Sequence, residues 1–497
     1  MSSQKILVVD QGTTSTRSLV MEPDGKILGF ANEQIQQIYP HDGWVEHSPN
    51  QIWNSVKSTI ITVLNQLNLK PENISAIGIT NQRETTILWN PKTGKPYYNA
   101  IVWQDVRTTE ICKTFSHRKD FIHKKAGLFP NPYFSATKIK WILEKIRSEN
   151  LANGLNQIHA GTVDTFLVWN LTSRKSFLTD HSNASRTMLM DLETGKWDDE
   201  LLNLFGIPRE ILPDIQPSSS LFGTTSNLDF LPDGIPIYGV AGDQQASLVG
   251  HRCNIPGLAK CTFGTGAFLL QHTGKKIIHS KHGLLTTLAA TLSNDLEYAL
   301  EGSVFIAGAA IQFLRDSLGF FNASADSENL AKTANKSTNL LFIPALTGLG
   351  TPYWDSSFQG SILGLTRNIS KKEITLAALE GVSHQLADLL EETEIIQNIG
   401  TKGLSIDGGM TANTLFNQIL SNITGISMAK AHCEEMTAVG AGLLAALGAG
   451  FIDKQTFLEN KNASNLSINP TLSSAERIKQ RNRWKSAIQA LKGFYSS

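Results

Sequence analysis

The segment Lys5-Ile-Leu-Val-Val-Asp-Gln-Gly-Thr-Thr-Ser-Thr-Arg-Ser-Leu-Val-Met21 is the clearest indication of the fold class of this chain. Lys5 to Val9 and Ser18 to Met21 are rich in β-branched and aliphatic residues, so we expect two strands with the polar loop Asp10 to Arg17 between them. Pro23-Asp-Gly25 then predicts a turn into a third strand. Strand, polar loop, strand, turn and strand together indicate the start of an α/β domain.

The polar loop has the composition of a phosphate-binding loop. The acid Asp10 at a strand end is followed by glycine, four hydroxyl side chains and Arg17. Backbone amides, hydroxyls and one positive charge suit phosphate oxygens, while the carboxylate can hold a hydrated cation. An ordinary Gly/Thr-rich β-turn has the same composition, so that alternative stays open. The P-loop pattern GxxxxGK[ST] does not occur in the sequence.

Helix and strand patterns continue after this opening. Ser48-Pro-Asn-Gln51 has the form of a capping box with proline at the first helical position, and apolar residues then recur at helical spacing as far as Leu67. Ala76 to Thr80 and Asn99 to Trp103 are predicted as buried strands that run into polar residues. Ligand sites of α/β sheets lie at such carboxyl ends.

The same kind of pattern restarts in the second half of the chain. After a connector from His251 to Leu258, Lys260 to Gln271 again predicts strand, glycine loop, strand. Ser370-Lys-Lys-Glu373 is a second capping box that opens an amphipathic helix, and Leu404 to Asn413 predicts a strand and a glycine turn feeding another helix. We therefore expect two α/β halves with a cleft between them, divided into domains of residues 1–250 and 251–497.

Two glycine turns in the second half extend the phosphate-binding interpretation. Phe263-Gly-Thr-Gly266 alone is typical of a tight hairpin, and Gly408-Gly409 is typical of a helix entry with unusual dihedral angles. Combined with the first loop, they could hold the polyphosphate of a nucleotide across a cleft, with Asn413 at a helix start as a further contact.

Two groups of polar residues are candidates for binding and activating a small hydroxylated substrate. Asp243 follows a strand and a glycine, where it can be a helix N-cap or a general base that accepts a hydroxyl proton, two roles that are compatible. Arg83 and Glu84 form either a surface ion pair or a clamp for vicinal hydroxyls. Trp103 and Phe268 could cover a small carbon skeleton.

The composition excludes several classes of protein. Among the 497 residues, Lys and Arg number 44, as do Asp and Glu, so no net charge draws the protein to nucleic acid, and we expect no such partner. The four cysteines lack CxxC spacing, which argues against a zinc site or a disulfide framework and favours a cytoplasmic location. The longest small-and-apolar run, Val439 to Ile452, is shorter than the about 20 residues that cross a bilayer, so we expect no membrane insertion.

The end of the sequence predicts a basic amphipathic helix. Trp484, Ile488 and Leu491 recur at helical spacing beside five Lys and Arg residues. Such a helix can contact membranes or nucleic acid. We expect the ordinary alternative, in which the apolar face packs on the protein and the basic side is solvated.

Taken together, these segments resemble the FGGY carbohydrate kinases over nearly the whole chain. The resemblance rests on Asp10–Ser15, Gly43–His47, Ile79–Thr86, Asn99–Gln104, Pro132–Lys138, Gly161–Thr165, Asn183–Met188, Ala241–Ala246, Gly348–Asp355 and Thr437–Gly440. Two further segments are similar to the signatures of the wider family, Tyr133–Ile142 and Gly360–Leu365 leading to Ala377–Glu380. Within the family, Asn81-Gln-Arg-Glu-Thr85 together with Asp243-Gln-Gln245 points to glycerol rather than xylulose, ribulose or gluconate.

The resemblance implies a two-domain, actin-like (ribonuclease-H-like) ATPase fold that phosphorylates glycerol to sn-glycerol 3-phosphate with ATP and Mg²⁺. It also implies a homo-oligomer, either a dimer or a tetramer. By position it makes Asp243 the general base and assigns the glycerol hydroxyls to Arg83, Glu84, Tyr133, Asp243 and Gln244, and the carbon edge to Trp103 and Phe268. It assigns the nucleotide to Thr13, Thr14, Ser15, Arg17, Thr265, Gly308, Gln312, Gly409 and Asn413, and the magnesium to Asp10 and Asp243.

Two regulatory features of some relatives lack their residues here. The loop that binds fructose 1,6-bisphosphate in enterobacterial relatives requires an arginine, and none lies between Phe222 and His251. The segment from Ser182 to Gly250 contains no histidine to accept the activating phosphorylation of some Gram-positive relatives. Other hypotheses stay open, namely a kinase of another polyol or ketose and a non-catalytic, actin-like nucleotide-binding protein.

Overall fold

The chain is built around two large mixed sheets, each formed by strands of one half of the sequence. The structure is a computed structural model that describes residues 4–281, 283–355, 357–397, 400–458 and 467–495. The described strands are β1 (Lys5–Gln11), β2 (Ser15–Met21), β3 (Ile27–Gln34), β4 (Glu46–His47), β5 (Ile74–Asn81), β6 (Thr86–Trp89), β7 (Ala100–Ile101), β8 (His159–Thr162), β9 (Leu178–Asp180), β10 (Met190–Asp191), β11 (Lys196–Trp197), β12 (Asp214–Gln216), β13 (Gly223–Thr224), β14 (Pro236–Gly242), β15 (Leu258–Phe263), β16 (Ala267–Gly274), β17 (Leu285–Leu288), β18 (Tyr298–Val304), β19 (Leu341–Ile343), β20 (Ser361–Leu363), β21 (Gly403–Asp407), β22 (Met428–Lys430) and β23 (Ser467–Ile468).

Helices cover both sheets and connect their strands. The α-helices are α1 (Pro49–Gln66), α2 (Thr109–Thr114), α3 (Lys119–Ala126), α4 (Ser135–Ser148), α5 (Val163–Leu171), α6 (His181–Ala184), α7 (Asp199–Phe205), α8 (Asp243–Gly250), α9 (Gly308–Asp316), α10 (Asp326–Lys332), α11 (Lys371–Gln397), α12 (Thr414–Thr424), α13 (Met436–Gly448), α14 (Lys454–Leu458) and α15 (Ser474–Tyr495). Short 3₁₀ helices cover Pro71–Asn73, Ser116–Arg118, Leu155–Gln157, Arg209–Ile211 and Gly409–Ala412.

The first sheet has six strands in the order β13-β14-β5-β1-β2-β3. Its centre is parallel, because β5 runs in the same direction as both β1 and β14. Asp10 on β1 is therefore the register partner of Thr80 on β5, and Asn81 is the partner of Gly242 on β14. The carboxyl ends of three strands meet at one edge, and the residues that follow them form the candidate site.

The register of the opening hairpin corrects one prediction. The polar stretch Asp10 to Arg17 is not a loop throughout, since Asp10 pairs with Arg17 and Gln11 with Thr16 across β1 and β2. Only residues 12 to 14 turn. The side chains of this stretch alternate on two faces of a hairpin, which is why a composition typical of a loop is compatible with strand structure.

The predicted strand Asn99 to Trp103 is also too long. Only Ala100–Ile101 is a strand, and it pairs with β4 and β6 in a separate four-stranded sheet. The backbone N–H of Trp103 instead donates to the Thr85 hydroxyl at 3.3 Å. This side-chain contact replaces ladder pairing where the chain enters the cleft.

Helix α1 begins as the capping pattern predicts. Ser48 is the N-cap and accepts from the backbone N–H of Gln51 at 3.4 Å. The box is only half formed, because the Gln51 side chain accepts from the backbone N–H of Gln36. The predicted apolar face is buried from Ile52 to Val63 and packs on the first sheet.

The second sheet has seven strands in the order β17-β18-β16-β15-β21-β22-β23. The predicted strand, glycine loop and strand are β15 and β16, which pair antiparallel. β15 runs parallel to β21, so the 264–266 turn and Gly408 lie at the same edge. Helix α11 crosses the sheet, and its N-terminal Glu373 accepts from both the backbone N–H and the hydroxyl of Ser370. The second capping prediction is therefore confirmed.

Helix α13 belongs to the second half of the sequence but packs on the first sheet. Ile6 and Val8 of β1 are buried against its residues, while Leu7 and Val9 face the α1 side. Helix α13 also crosses α8 at backbone contact, since a Cβ added to Gly440 would lie 1.8 Å from the carbonyl oxygen of Ala246. Only a residue without a side chain fits this crossing.

The terminal helix α15 packs as expected, with one exception. Trp484 and Ile488 are buried, and their burial confirms the predicted apolar face. Arg481 is not part of a solvated basic side, because it is buried and paired with Asp388 and Glu391. Within the described ranges, no helix has both the length and the apolar character needed to cross a membrane.

Candidate active site

The segment that follows β5 brings charged residues into the interior. Arg83 and Glu84 are 3% and 1% exposed, so the alternative of a surface ion pair is wrong for this position. The backbone of Glu84 has a φ of 58°, which lies in the left-handed region that residues other than glycine rarely adopt. This backbone turns the chain sharply at the edge of the sheet, and strained conformations of this kind cluster at functional sites.

Arg83 and Glu84 belong to a buried ring of alternating charges. The Arg83 nitrogens Nη1 and Nη2 donate to the two carboxylate oxygens of Glu301 at 2.6 and 3.1 Å. Glu301 Oε1 also accepts from Arg186 Nη2 at 2.9 Å, and Arg186 Nε donates to Glu84 Oε1 at 2.6 Å. Glu84 Oε1 lies 3.9 Å from Arg83 Nε and closes the ring. Because Glu301 lies on β18, the ring joins the two halves of the molecule.

Asp243 lies beside this ring, at the start of α8. It is the first helical residue rather than the N-cap, which is Gly242, so the capping alternative is wrong. Its Oδ1 lies 3.2 Å from Arg83 Nε, and its side chain is 32% exposed. Burial raises the pKa of Asp243, while the positive charges of Arg83 and Lys260 oppose that shift. A half-buried carboxylate with a raised pKa is suited to accept a proton.

Lys260 supports the same region from the second sheet. Its ammonium group is fully buried and donates to Oε1 of Gln244 and, at 3.0 Å, to the hydroxyl of Thr262. Burial lowers the pKa of Lys260, and the carboxylates of Asp407 and Asp243 counteract this effect. Lys260 thus fixes the side chain of Gln244, which we predict to bind the substrate.

A cleft of about 990 Å³ opens next to the charge ring. Its wall includes Trp103, Tyr133, Phe268 and Glu301, so the structure brings the predicted aromatic contacts together around the buried carboxylate. The Trp103 and Tyr133 rings meet edge to face with centroids 5.4 Å apart. The Trp103 indole N–H donates to the Thr13 hydroxyl at 2.9 Å, which links this wall to the first glycine turn.

A second cavity of about 490 Å³ collects the predicted nucleotide residues of the second half. The lining includes Thr265, Gly308, Gln312, Gly409 and Asn413. Thr265 also lines the larger cleft, so the two cavities adjoin at the second glycine turn. Gly408 has a φ of 89°, as the interpretation of a strained helix entry requires, and a Cβ on Gly409 would meet no atom within 4 Å. Asn413 caps α12 by accepting from the backbone N–H of Phe416 at 2.9 Å.

The first glycine turn is arranged differently. The predicted phosphate contacts Thr13, Thr14, Ser15 and Arg17 do not line either cavity. The guanidinium of Arg17 is paired with the carboxylate of Glu435, the residue that precedes α13. Arg17 therefore faces the second half of the molecule, where its partner is the Glu435 carboxylate.

Asp10 has the electrostatic surroundings of a cation ligand. Burial raises the pKa of Asp10 to about 7, Arg17 acts against this shift, and Asp243 and Glu435 add to it. A divalent cation would relieve the repulsion between Asp10 and Asp243, so both residues fit a magnesium ion. In the part of the chain that the structure describes, no three His, Cys, Asp or Glu side chains are grouped to hold a metal. Mg²⁺ commonly takes one or two carboxylates and completes its shell with phosphate and water oxygens.

Several residues of this site were not predicted. Arg186 lies in the segment Asn183–Met188 and Lys260 at the start of a predicted strand, but neither pattern predicts a role for them, and Glu435 lies just before the segment Thr437–Gly440. Glu301 carries the clearest signal, because it is the charged residue inside the mainly apolar strand Tyr298–Val304. A charged side chain in a buried strand needs a partner, but the sequence does not reveal which one.

Two family models together match most of this chain, and curated relatives match almost its whole length. Residues 5–250 match the N-terminal domain of the FGGY family of carbohydrate kinases, and residues 259–449 match its C-terminal domain. The chain is 42% identical over 496 residues to a glycerol kinase of Xylella fastidiosa (strain M23), covering 99% of each chain. It is 41% identical over 491 residues to a glycerol kinase of Bacillus subtilis (strain 168), covering 98% of this chain and 99% of the relative.

A solved structure confirms the fold that the resemblance implied. The crystal structure of Plasmodium falciparum glycerol kinase with ADP superimposes with a TM-score of 0.90 at 33% identity and covers 98% of both chains. The mixed α/β, actin-like kinase fold is therefore confirmed, and the chain belongs to the FGGY family of carbohydrate kinases.

Proposed function

We propose that this protein phosphorylates glycerol with ATP and releases sn-glycerol 3-phosphate and ADP. The observation that carries the proposal is the half-buried carboxylate of Asp243, 3.2 Å from Arg83 Nε, next to a cleft whose wall holds Trp103, Tyr133 and Phe268. A base, a charged clamp and an apolar wall are what a small polyol needs for binding and activation. The names of the relatives support glycerol as that polyol.

The proposed roles divide between the two cavities. Tyr133, Trp103 and Phe268 line the cleft, where Tyr133 binds a hydroxyl group and the other two cover the carbon edge. Arg83, Glu84, Asp243 and Gln244 do not line it, and they bind the hydroxyl groups from beside it, where Glu301 connects the cleft wall to Arg83. In the adjoining cavity, Thr265, Gly308, Gln312, Gly409 and Asn413 hold the nucleotide. Thr13, Thr14, Ser15 and Arg17 contact its phosphates after Arg17 exchanges Glu435 for a phosphate oxygen. Thr265 lines both cavities, which supports placing the transferred phosphoryl group near this residue.

The proposed reaction is a direct phosphoryl transfer. A terminal hydroxyl oxygen of glycerol forms a bond to the γ-phosphorus of ATP while the bond between that phosphorus and the bridging oxygen of ADP breaks. A carboxylate oxygen of Asp243 accepts the hydroxyl proton. Arg83 orients Asp243, and the apolar walls exclude water that would otherwise compete as the acceptor.

Asp10 and Asp243 are the proposed magnesium ligands. When bound there, Mg²⁺ would neutralise charge on the phosphate oxygens. The raised pKa of Asp10 supports this assignment, because a buried carboxylate near two others gains most from a cation.

Three further assignments are proposals about the whole protein. We place the domain boundary near residue 250, between α8 and β15. We propose the cytoplasm as the compartment, in keeping with cysteines that are all free thiols. We propose a homo-oligomer, either a dimer or a tetramer, in line with the family resemblance.

A substrate panel tests the proposed function. ADP release from ATP and Mg²⁺ is measured with glycerol, dihydroxyacetone, glyceraldehyde, xylulose, ribulose and gluconate, and without any of them. We expect release to depend on glycerol, with a higher kcat/KM than for the ketoses or gluconate. Faster turnover of a five- or six-carbon substrate would assign the protein to another activity of the family. Nucleotide binding without turnover of any substrate would favour the non-catalytic, actin-like alternative.

A further inference from the structure

Glu301 is a charged residue in an otherwise uncharged and largely buried strand of the second sheet. Its register partners are Leu270 on β16 and Leu285 on β17, and its side chain is 1% exposed. An ionised carboxylate in such a place is unfavourable unless it is paired. Despite burial, which raises it, the guanidiniums of Arg186 and Arg83 lower the pKa of Glu301 to about 2. The residue therefore carries its charge at physiological pH.

Both partners of this carboxylate come from the other half of the molecule. Arg83 follows β5 and Arg186 follows α6, whereas Glu301 lies on β18. The contacts are short, at 2.6 and 3.1 Å to Arg83 and 2.9 Å to Arg186. Glu301 thus extends from the second sheet into the polyol clamp of the first half.

The contact geometry constrains what Arg83 can do. Both terminal nitrogens of Arg83 are directed to Glu301, so Nε is the nitrogen that faces Asp243, at 3.2 Å. A guanidinium is a rigid planar fork, and fixing two of its nitrogens also fixes the direction of the third. Arg186 works in the same way, because Nη2 binds Glu301 while Nε binds Glu84.

We propose that Glu301 is a positioning residue for substrate binding, which orients Arg83 toward Asp243 and, through Arg186, holds Glu84. This proposal rests on the proposed function and adds a residue from the second half to the polyol site. The proposal predicts different effects on the binding of the two substrates. Loss of the Glu301 charge should weaken polyol binding, whereas nucleotide binding should change little, because Glu301 does not line the second cavity.

The alternative is that Glu301 only stabilises the fold. In that case its loss lowers the amount of folded enzyme and affects polyol and nucleotide kinetics equally. Measuring kcat and the KM for each of the two substrates separates these roles. A smaller amount of folded enzyme lowers the apparent kcat but leaves both KM values unchanged, because KM does not depend on the concentration of active enzyme.

Three variants make the test. Glu301→Gln keeps the shape but removes the charge, and Glu301→Asp keeps the charge on a shorter side chain. Glu373→Gln is the matched control, since Glu373 is also buried on the second half and its pKa is also lowered to about 2, by hydrogen bonds from Ser370 and Asn335. Glu373 lines neither the cleft nor the nucleotide cavity.

Initial rates are measured over a matrix of glycerol and ATP concentrations, with circular dichroism to confirm folding and calorimetry to obtain the Kd of ADP. We expect Glu301→Gln to raise the KM for glycerol by about 10- to 100-fold, the typical effect of a displaced binding group. The KM for ATP and the Kd of ADP should stay within about threefold, which is less than 1 kcal/mol. Glu301→Asp should recover part of the loss, and Glu373→Gln should leave both KM values unchanged.

Several results would overturn the proposal. These are an unchanged KM for glycerol in Glu301→Gln, equal rises in both KM values, or the same effect in Glu373→Gln. If Glu301→Gln does not fold, the proposal is tested with Glu301→Asp. This variant must then raise the KM for glycerol without raising the KM for ATP. A wild-type protein that ignores glycerol overturns the proposed function instead, and the variants are then compared on the polyol that it does phosphorylate. Absence of turnover with every polyol overturns both proposals.

Discussion

The carboxylates Asp10, Asp243 and Glu301 lie around one site, but their surroundings shift their pKa values in different directions. Burial raises the pKa of Asp10 to about 7 and also raises that of Asp243. The guanidiniums of Arg186 and Arg83 outweigh burial at Glu301 and lower its pKa to about 2. Glu301 therefore acts as a fixed charge, whereas Asp10 and Asp243 gain most from a cation or a proton.

The pKa of Asp10 leads to a prediction for magnesium-dependent nucleotide binding. Below about pH 7 the ligand-free protein holds a proton on Asp10, and this proton competes with the cation. The affinity for MgADP should therefore rise by about tenfold from pH 6 to pH 8, after which the competition ends. Calorimetric titration of MgADP at pH 6, 7 and 8 measures this change.

Asp10→Asn is the control for that titration. A phosphate group itself titrates near pH 6, so the informative quantity is the difference between the wild type and the variant. Asp10→Asn should bind MgADP more weakly at pH 8 and show only the dependence that the nucleotide contributes. If both proteins follow the same pH dependence, Asp10 is not a ligand of the cation.

Among the elements, α8 connects the chemistry to the packing of the two halves. Its first residue is Asp243, and its last, Gly250, would place an added Cβ 2.0 Å from the carbonyl oxygen of Met436 at the start of α13. The crossing of α8 and α13 therefore sets the position of the proposed base. A change at this crossing should reach the active site without touching a substrate contact.

Gly440→Ala tests the helix crossing. The added methyl group would lie 1.8 Å from the carbonyl oxygen of Ala246, so the helices must separate. Overpacking of this kind typically costs about 1–3 kcal/mol. We expect a lower free energy of unfolding and a lower kcat, because α8 moves with Asp243. Thermal unfolding and steady-state kinetics measure the two effects.

Gly493→Ala is the matched substitution for comparison. Gly493 lies in α15, and an added Cβ would meet no atom within 4 Å. Alanine favours a helix over glycine by about 0.5–1 kcal/mol, so this variant should be as stable as the wild type or slightly more stable. Equal stabilities of the two variants would show that the α8–α13 contact is not as close as the structure places it.

The sequence predicts the local elements well because their signals are local. Runs of β-prone residues identify β1 and β15, helical periodicity identifies α1, and the caps at Ser48 and Ser370 lie within four residues of their helices. The errors lie where tertiary contacts decide the outcome. Trp103 leaves the predicted strand because its backbone donates to the Thr85 hydroxyl.

The candidate site is only partly predictable for the same reason. Nine nucleotide residues and seven substrate residues follow from loops and from the family resemblance, and they remain predictions. The charge ring follows from neither, because Arg83 and Glu301 are 218 positions apart and Arg186 and Glu84 are 102 apart. No local sequence pattern predicts which buried charged residues pair with each other in the folded protein.

For the whole molecule, separate contacts join the two halves of the sequence. Helix α13 packs on the first sheet, Glu435 pairs with Arg17, and Glu301 pairs with Arg83 and Arg186. The last contact is ionic and buried, and breaking such a pair by removing one partner costs much more than breaking a surface pair. The free energy that this contact contributes to folding should therefore depend on pH, because Glu301 must be ionised to pair with the two arginines.

The lowered pKa of Glu301 determines the sign of that dependence. Its folded-state pKa is about 2, against an ordinary value of 4.5, so its contribution is fully present above about pH 4.5 and is lost as the pH falls toward 2. A shift of this size corresponds to about 3 kcal/mol, of which roughly half is lost by pH 3. Glu301→Gln removes the contribution at every pH.

Thermal unfolding at pH 6 and pH 3 tests this expectation. The gap between the unfolding temperatures of the wild type and Glu301→Gln should be wide at pH 6 and distinctly narrower at pH 3. A gap of constant width would mean that the charge of Glu301 does not contribute to the stability of the folded protein.

ADP release from ATP and Mg²⁺, measured with and without glycerol in the wild type and in Asp243→Asn, tests whether Asp243 is the base that activates glycerol. We predict release that depends on glycerol in the wild type and a turnover lower by about 10²–10⁴ in the variant, the typical contribution of a positioned proton acceptor. The variant should retain its fold and its affinity for ADP. A folded Asp243→Asn protein with near-normal turnover would exclude Asp243 as the base, and a wild type whose ADP release does not depend on glycerol would exclude glycerol as the substrate.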